Sequence, residues 1–91
     1  MAKELILNGR VQGVFCRKYC RDYAKKFGIS GSVSNLSDGT VRVILDSDDE
    51  QKINKYIHAL KHNPFGFTFY GRIDDVSISD FTGSVRGDLM F

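Results

Sequence analysis

Hydrophobic positions in the first half of the chain change from a strand pattern to a helical pattern and back. An apolar run opens residues 4–10 and predicts a first strand. In 17–27 the apolar residues recur at spacings of three and four, as on one face of a helix. This face consists of Cys20, Tyr23, Ala24 and Phe27. Gly28 suits the position just after a helix, and 29–36 predicts a second strand.

The next part of the chain predicts a hairpin and a second helix. Asp38-Gly39 is a strong hairpin signal, and the alternation across 40–46 predicts a third strand with a well-buried face. Ser47, with Glu50 three residues later, has the spacing of a capping box that opens a helix. The apolar face of this helix consists of Ile53, Tyr56, Ile57 and Leu60.

The order of these elements predicts the fold class. Asn63-Pro64 ends the second helix, because proline disfavours a helical conformation in the residue before it. An aromatic, glycine-rich segment follows at 65–71, then a fourth strand is predicted over 72–81 and an edge strand over 85–91. Strand, helix, strand, strand, helix, strand is the order of the α+β, ferredoxin-like split βαβ fold (βαββαβ). In that fold two helices lie on one face of an antiparallel sheet.

Size and composition limit the class of protein further. The chain has 91 residues, of which 42% are hydrophobic and 26% charged, enough for one globular domain (1–91) and too few for two. A net charge of +2 does not by itself indicate a nucleic-acid or membrane partner. The first apolar run is too short for a signal peptide or a membrane span. We therefore expect a cytoplasmic protein whose cysteines are free thiols.

The segment between the first strand and the first helix has the features of an anion site. Its sequence is Gly9-Arg10-Val11-Gln12-Gly13-Val14-Phe15-Cys16-Arg17, and its backbone N–H groups can converge on one anion. A cation in the first turn of a helix, such as Arg17, is typically unfavourable by about 0.3–1 kcal/mol. No Ser, Thr, Asp or Asn just before the helix caps it. A bound phosphate would remove both anomalies, whereas the alternative is a simple glycine turn with Arg17 in solvent.

Asn35 is the second candidate for a functional residue. Asparagine is poorly suited to a strand interior, and its amide both donates and accepts hydrogen bonds. Such an amide can orient a nucleophilic water without acting as a base. The alternative is that Asn35 already belongs to the turn before Asp38-Gly39.

Together these two segments resemble the acylphosphatase family, over roughly residues 4–80. The first family motif is Gly-Arg-Val-Gln-Gly-Val followed by an aromatic residue and Arg, and this chain has Gly9 to Val14 intact and then Phe15-Cys16-Arg17. The second motif places Asn shortly before an Asp-Gly turn and a Val-x-Val strand. Its counterparts here are Asn35, Asp38-Gly39, Val41 and Val43.

The resemblance implies a metal-independent and cofactor-free enzyme that hydrolyses the carboxyl–phosphate bond of small acyl phosphates to a carboxylate and inorganic phosphate. It implies that Arg17 binds the phosphoryl group and that Asn35 orients the attacking water, whose proton passes to the bound phosphate. The backbone N–H groups that complete the substrate site would be those of Gln12, Gly13, Val14, Phe15 and Cys16. We expect a monomer without nucleic-acid or membrane partners.

The chain departs from the family pattern beside both candidate residues. Cys16 stands where an aromatic residue or Met is usual, Ser32 where an aromatic residue is usual, and Ser34 where a longer or basic residue is usual. One alternative is therefore an acylphosphatase-like domain with impaired catalysis. Cys16 also lies close to a helix N-terminus and Arg17, so it is either an oxidisable thiol or, more simply, a buried filler.

Two further classes of protein share parts of the pattern. RNA-binding modules have the same element order, and the aromatic run at 65–70 resembles a base-stacking strand, although it follows the second helix instead of preceding it. The simpler interpretation is that these aromatic residues pack the core. A zinc site would draw on two pairs with helical spacing, Cys16 with Cys20 and His58 with His62. The segment between the pairs is far longer than in a zinc finger.

Overall fold

Five strands form one antiparallel sheet on which two helices pack. The computed structural model describes residues 2–91. Its elements are β1 (Ala2–Arg10), α1 (Cys16–Phe27), β2 (Gly31–Asn35), β3 (Val41–Leu45), α2 (Glu50–His62), β4 (Arg72–Phe81) and β5 (Leu89–Met90). The strands lie in the order β4-β1-β3-β2-β5. The predicted ferredoxin-like α+β fold is confirmed.

The register of the central strands collects the apolar side chains on the face that carries the helices. Leu5 of β1 lies opposite Val43 of β3, and Val43 lies opposite Val33 of β2 on its other side. All three side chains are fully buried. Because successive residues of a strand point to opposite faces, this register aligns the apolar face of each strand with that of its neighbours.

The helices are joined to one another by buried tyrosine hydroxyl groups. Tyr19 of α1 donates a hydrogen bond to the carbonyl of Leu60 at 2.7 Å, and Tyr56 of α2 donates one to the carbonyl of Cys20 at 2.8 Å. Burial raises the pKa of both phenols. A buried tyrosine needs such a partner, so these two bonds fix the distance and rotation of each helix against the other.

Several predicted boundaries differ from the structure. α1 begins at Cys16, one residue earlier than predicted, and the edge strand is limited to Leu89–Met90. The predicted capping box of Ser47 and Glu50 is wrong, because α2 begins at Glu50 and its N-cap is Asp49, whose carboxylate accepts from the N–H of Lys52 at 3.2 Å. The Ser47 hydroxyl instead accepts from the N–H of Asp49, one step before the helix. The cap position of Gly28 is confirmed, with a left-handed φ of 67°.

The aromatic segment 65–71 packs beside the helices. The ring of Phe69 stacks on Tyr19 at a centroid distance of 4.3 Å, and that of Phe67 lies 4.7 Å from Tyr23. Asn63 holds the segment through two hydrogen bonds with the backbone of Phe67. The core interpretation is therefore confirmed for Phe67 and Phe69, whereas Phe65 and Tyr70 are exposed.

Gly9 marks the point at which β1 bends into the loop that follows it. The register between β1 and β4 shifts between Asn8 and Gly9, as in a β-bulge. Gly9 has a φ of 136°, and a Cβ atom there would lie 2.2 Å from the carbonyl oxygen of Arg72. Only a residue without a side chain permits this approach of the two strands.

We expect Gly9→Ala to lower the free energy of unfolding by about 2 kcal/mol or more, because it combines an unfavourable φ with a backbone clash. Gly39→Ala is the matched control, since Gly39 has a φ of 91° and open space around its Cβ position. Its expected loss is only about 1 kcal/mol. Urea denaturation measures both values, and an equal or smaller loss for Gly9→Ala would contradict the importance of the close approach.

Candidate active site

The loop between β1 and α1 presents a row of unpaired backbone N–H groups. Gly13 and Phe15 have left-handed φ values of 72° and 66°, while Val14 between them does not. Such an alternation turns successive N–H groups toward one side and forms an anion-binding concavity. None of the backbone N–H groups of residues 12–18 donates to another residue within 2–91. No side chain caps α1, whose N-cap is Phe15.

Gln12 fixes this loop to the turn between β2 and β3. Its side-chain amide donates to the carbonyl of Leu36 at 2.7 Å and to that of Thr40 at 2.9 Å. These two carbonyls lie immediately beyond Asn35 and immediately before β3. The Gln12 side chain therefore sets the distance between the loop and Asn35, a role that the sequence pattern did not indicate.

A cavity of about 530 Å³ opens in front of the loop. Its lining consists of Val11, Gly13, Phe15, Cys16, Arg17, Lys18, Asn35, Asp88 and Leu89. Arg17 and Asn35, which are far apart in the sequence, thus face the same space. Gln12 and Val14 are not among the lining residues, and Val14 is buried, with its carbonyl accepting a hydrogen bond from the N–H of Tyr70.

One carboxylate oxygen lies between the two candidate functional residues. Oδ2 of Asp88 is 3.6 Å from Nη1 of Arg17 and accepts a hydrogen bond from the backbone N–H of Asn35 at 3.0 Å. The Asn35 carboxamide itself makes no hydrogen bond within residues 2–91. Asp88 was not a candidate from sequence, because a single Asp near an edge strand has no signature; only the folded sheet brings it to the cavity.

The two cysteines are free, buried and in contact with each other. Their sulfur atoms are 3.8 Å apart and share a hydrogen bond, and Cys16 is 3% exposed although it lines the cavity. The hydrogen bond with Cys16, together with burial, raises the pKa of the Cys20 thiol. Both sulfur atoms are buried and face each other, so the geometry favours the packing interpretation of this pair.

The residue pairs suggested for zinc remain separate pairs. Cys16 contacts Cys20 on α1, and the rings of His58 and His62 lie 4.2 Å apart on α2. Within residues 2–91, no three His, Cys, Asp or Glu side chains are grouped so that they could hold a metal ion.

The fold defines a small α+β domain with a loop of unpaired backbone N–H groups before its first helix, and comparison with known proteins identifies its family. The acylphosphatase family model matches residues 3–87. The chain therefore belongs to the acylphosphatase family. Its resemblance to that family, first seen in the two motifs, is confirmed.

Individual relatives agree with this assignment. An acylphosphatase of Picrophilus torridus is 38% identical over 80 residues, which cover 84% of this chain and 93% of that protein. An acylphosphatase of Deinococcus radiodurans is 41% identical over 59 residues, which cover 65% of this chain and 67% of that protein. The crystal structure of acylphosphatase from Bacillus subtilis matches with a TM-score of 0.74 and 26% identity, covering 99% of this chain and 98% of that one.

The chain is accordingly a hydrolase that acts on acyl phosphates, with a small acyl phosphate as substrate and phosphate as product. No helix among residues 2–91 has the length and apolar character needed to cross a membrane.

We expect Gln12→Ala to lower the free energy of unfolding by about 1–3 kcal/mol, because it removes two hydrogen bonds that tie the loop to the turn. The carbonyls of Leu36 and Thr40 keep their backbone donors, the N–H groups of Gly39 and Leu36. Gln51→Ala is the control, since Gln51 is an exposed residue of α2. Urea denaturation gives both values. If Gln12→Ala is as stable as the control, the amide does not hold the loop.

Proposed function

We propose that the chain hydrolyses acyl phosphates with Arg17 as the group that binds and stabilises the phosphoryl oxygens and Asn35 as the group that orients the attacking water. The N–H groups of the loop, from Gln12, Gly13, Val14, Phe15 and Cys16, would complete the phosphoryl site. The strongest support is that unpaired loop N–H groups, a guanidinium group and a free carboxamide border one cavity.

Hydrolysis of an acyl phosphate requires mainly that the reactants are positioned and that negative charge is stabilised. Water attacks phosphorus, the bond between phosphorus and the carboxyl oxygen breaks, and the carboxylate leaves as a stable anion that needs no general acid. Negative charge on the non-bridging oxygens is met by the backbone N–H groups and by Arg17, whose fork of donors matches phosphate. One proton of the water passes to a phosphoryl oxygen. Asn35 therefore needs only to orient the water by hydrogen bonding and does not accept a proton.

The helix behind the loop contributes to the same site. The first N–H groups of an α-helix lack partners and carry the positive end of the helix dipole. Here neither a side chain nor a backbone carbonyl satisfies them. A phosphoryl group bound at this position would serve as the missing cap, which accounts for the basic residues Arg17 and Lys18 in the first turn.

We further propose that residues 1–91 act as a single, monomeric, cytoplasmic domain, without a metal ion and without a nucleic-acid or membrane partner. One core, shared by both helices and the sheet, supports the single domain. The packing of Phe67 and Phe69 against Tyr23 and Tyr19 supports the exclusion of RNA, because these rings are engaged inside the fold. Sedimentation analysis tests the monomer.

Hydrolysis of benzoyl phosphate at neutral pH in excess chelator tests the proposed roles. We expect turnover by the wild type and a loss on the order of 100-fold or more in kcat/KM for Arg17→Ala and for Asn35→Ala, because each removes a preorganised group at the reacting centre. Arg72→Ala and Asn54→Ala, at exposed positions of β4 and α2, are the controls.

The outcomes separate the parts of the proposal. Loss of turnover on chelation alone would contradict the metal-free reaction. A folded Asn35→Ala variant with the wild-type rate would remove Asn35 from the mechanism, and the same result for Arg17→Ala would remove Arg17.

A further inference from the structure

The side chain of Asp88 already interacts with Arg17, which we propose to bind phosphate, and with the backbone of Asn35 beside it. Its Oδ2 atom accepts the N–H of Asn35 and lies 3.6 Å from the guanidinium group of Arg17. Among residues 2–91, Asp88 is the only acidic residue that lines the cavity. A carboxylate and a phosphoryl oxygen accept from the same donors, so the fold contains an anion of its own where substrate is expected.

The segment that carries Asp88 is fixed against β2 by small residues. The N–H of Asp88 donates to the hydroxyl of Ser34 at 2.9 Å. A Cβ atom on Gly87 would lie 2.5 Å from the Ser34 hydroxyl oxygen and 2.9 Å from that of Ser32. Beyond it, Leu89 pairs with Val33 in the sheet. A side chain at 87 would therefore displace the hydroxyl groups of Ser34 and Ser32, and larger side chains at 32 and 34 would occupy the space beside Gly87.

These small residues coincide with departures from the family pattern. Ser32 and Ser34 stand where a larger side chain is usual, and the structure uses the space to bring Gly87 against β2. The result is the position of Asp88 at the cavity. The position of the Asp88 carboxylate thus depends on the contacts of the backbone at 87–89 with β2, and not only on the Asp88 side chain.

We propose that Asp88 is a resident carboxylate that competes with phosphate for Arg17, and so sets how tightly the site holds phosphate anions. It is displaced when an acyl phosphate binds, and it returns when inorganic phosphate leaves. This inference rests on the proposed function, since it assumes that phosphate binds at Arg17.

The exposure of the pair makes this exchange physically reasonable. Both side chains are 47% exposed, and a half-exposed ion pair is weak enough to open without a large free-energy cost. Two anions cannot share the site, because like charges in close contact repel. Occupation by Asp88 therefore weakens the binding of substrate and product alike, because the carboxylate must be displaced before either can bind.

The test is the dissociation constant of inorganic phosphate, measured by calorimetry, together with its inhibition of benzoyl phosphate hydrolysis. Asp88→Asn keeps the shape and an acceptor for the Asn35 N–H but removes the charge. We expect phosphate to bind roughly three- to tenfold more tightly, with a similar fall in KM and no increase in kcat. Asp46→Asn is the control, because it removes the same charge at a position that does not line the cavity. Asp46 follows the last residue of β3, at the end that pairs with the start of β1.

A second variant tests the placement without changing charge. Gly87→Ala displaces the Ser34 hydroxyl that accepts from the Asp88 N–H and so loosens the placement of Asp88. It should also tighten phosphate binding, with no further gain when it is combined with Asp88→Asn. Phosphate affinity that is unchanged or weaker in a folded Asp88→Asn variant overturns the inference. If Arg17→Ala binds phosphate as well as the wild type does, the proposed phosphate site itself is wrong, whatever Asp88 does.

Discussion

The side-chain amide of Gln12 is the contact on which the geometry of the site depends. The loop after β1 leaves the N–H groups of residues 12–18 unpaired, so few backbone hydrogen bonds hold it in place. Gln12 supplies the missing constraint by donating to two carbonyls at the β2–β3 turn. Because Asn35 lies directly before that turn, the same bonds fix Asn35 relative to the loop. A site made of backbone donors is preorganised only if something outside the loop holds it.

The sequence predicted those features that arise from local pattern. The helical spacing of Cys20 and Tyr23 placed them in the core, and Gly28 marked a helix end through its backbone freedom. The cap of α2 was assigned to Ser47, since Ser47, Asp48 and Asp49 are all suitable residue types and only the observed hydrogen bond distinguishes Asp49. Asp88 could not be predicted, because its position depends on strand pairing between segments more than fifty residues apart.

Small side chains at several positions of this chain are explained by the neighbours that fill the space beside them. Cys16 and Cys20 fill one buried contact on α1 with two thiols, where a larger side chain at either position would have to displace the other. Ser32 and Ser34 leave room for a neighbouring segment of backbone at Gly87. In each case the space left by a small side chain is occupied by another part of the chain. Departure from a family pattern at one position is therefore explained only when its new neighbours are identified.

The aromatic segment also contacts the loop, independently of Gln12. The N–H of Tyr70 donates to the carbonyl of Val14, and its ring lies 5.6 Å from that of Phe15. Gly71 approaches the loop so closely that a Cβ atom there would lie 1.9 Å from the carbonyl oxygen of Arg10. Phe15 occupies a left-handed conformation that is unfavourable for a residue with a side chain, and such a conformation persists only where neighbours impose it. The segment that resembles a base-stacking strand in the sequence therefore has a structural role. Its contacts with the loop help to hold the loop in the conformation that leaves its N–H groups unpaired.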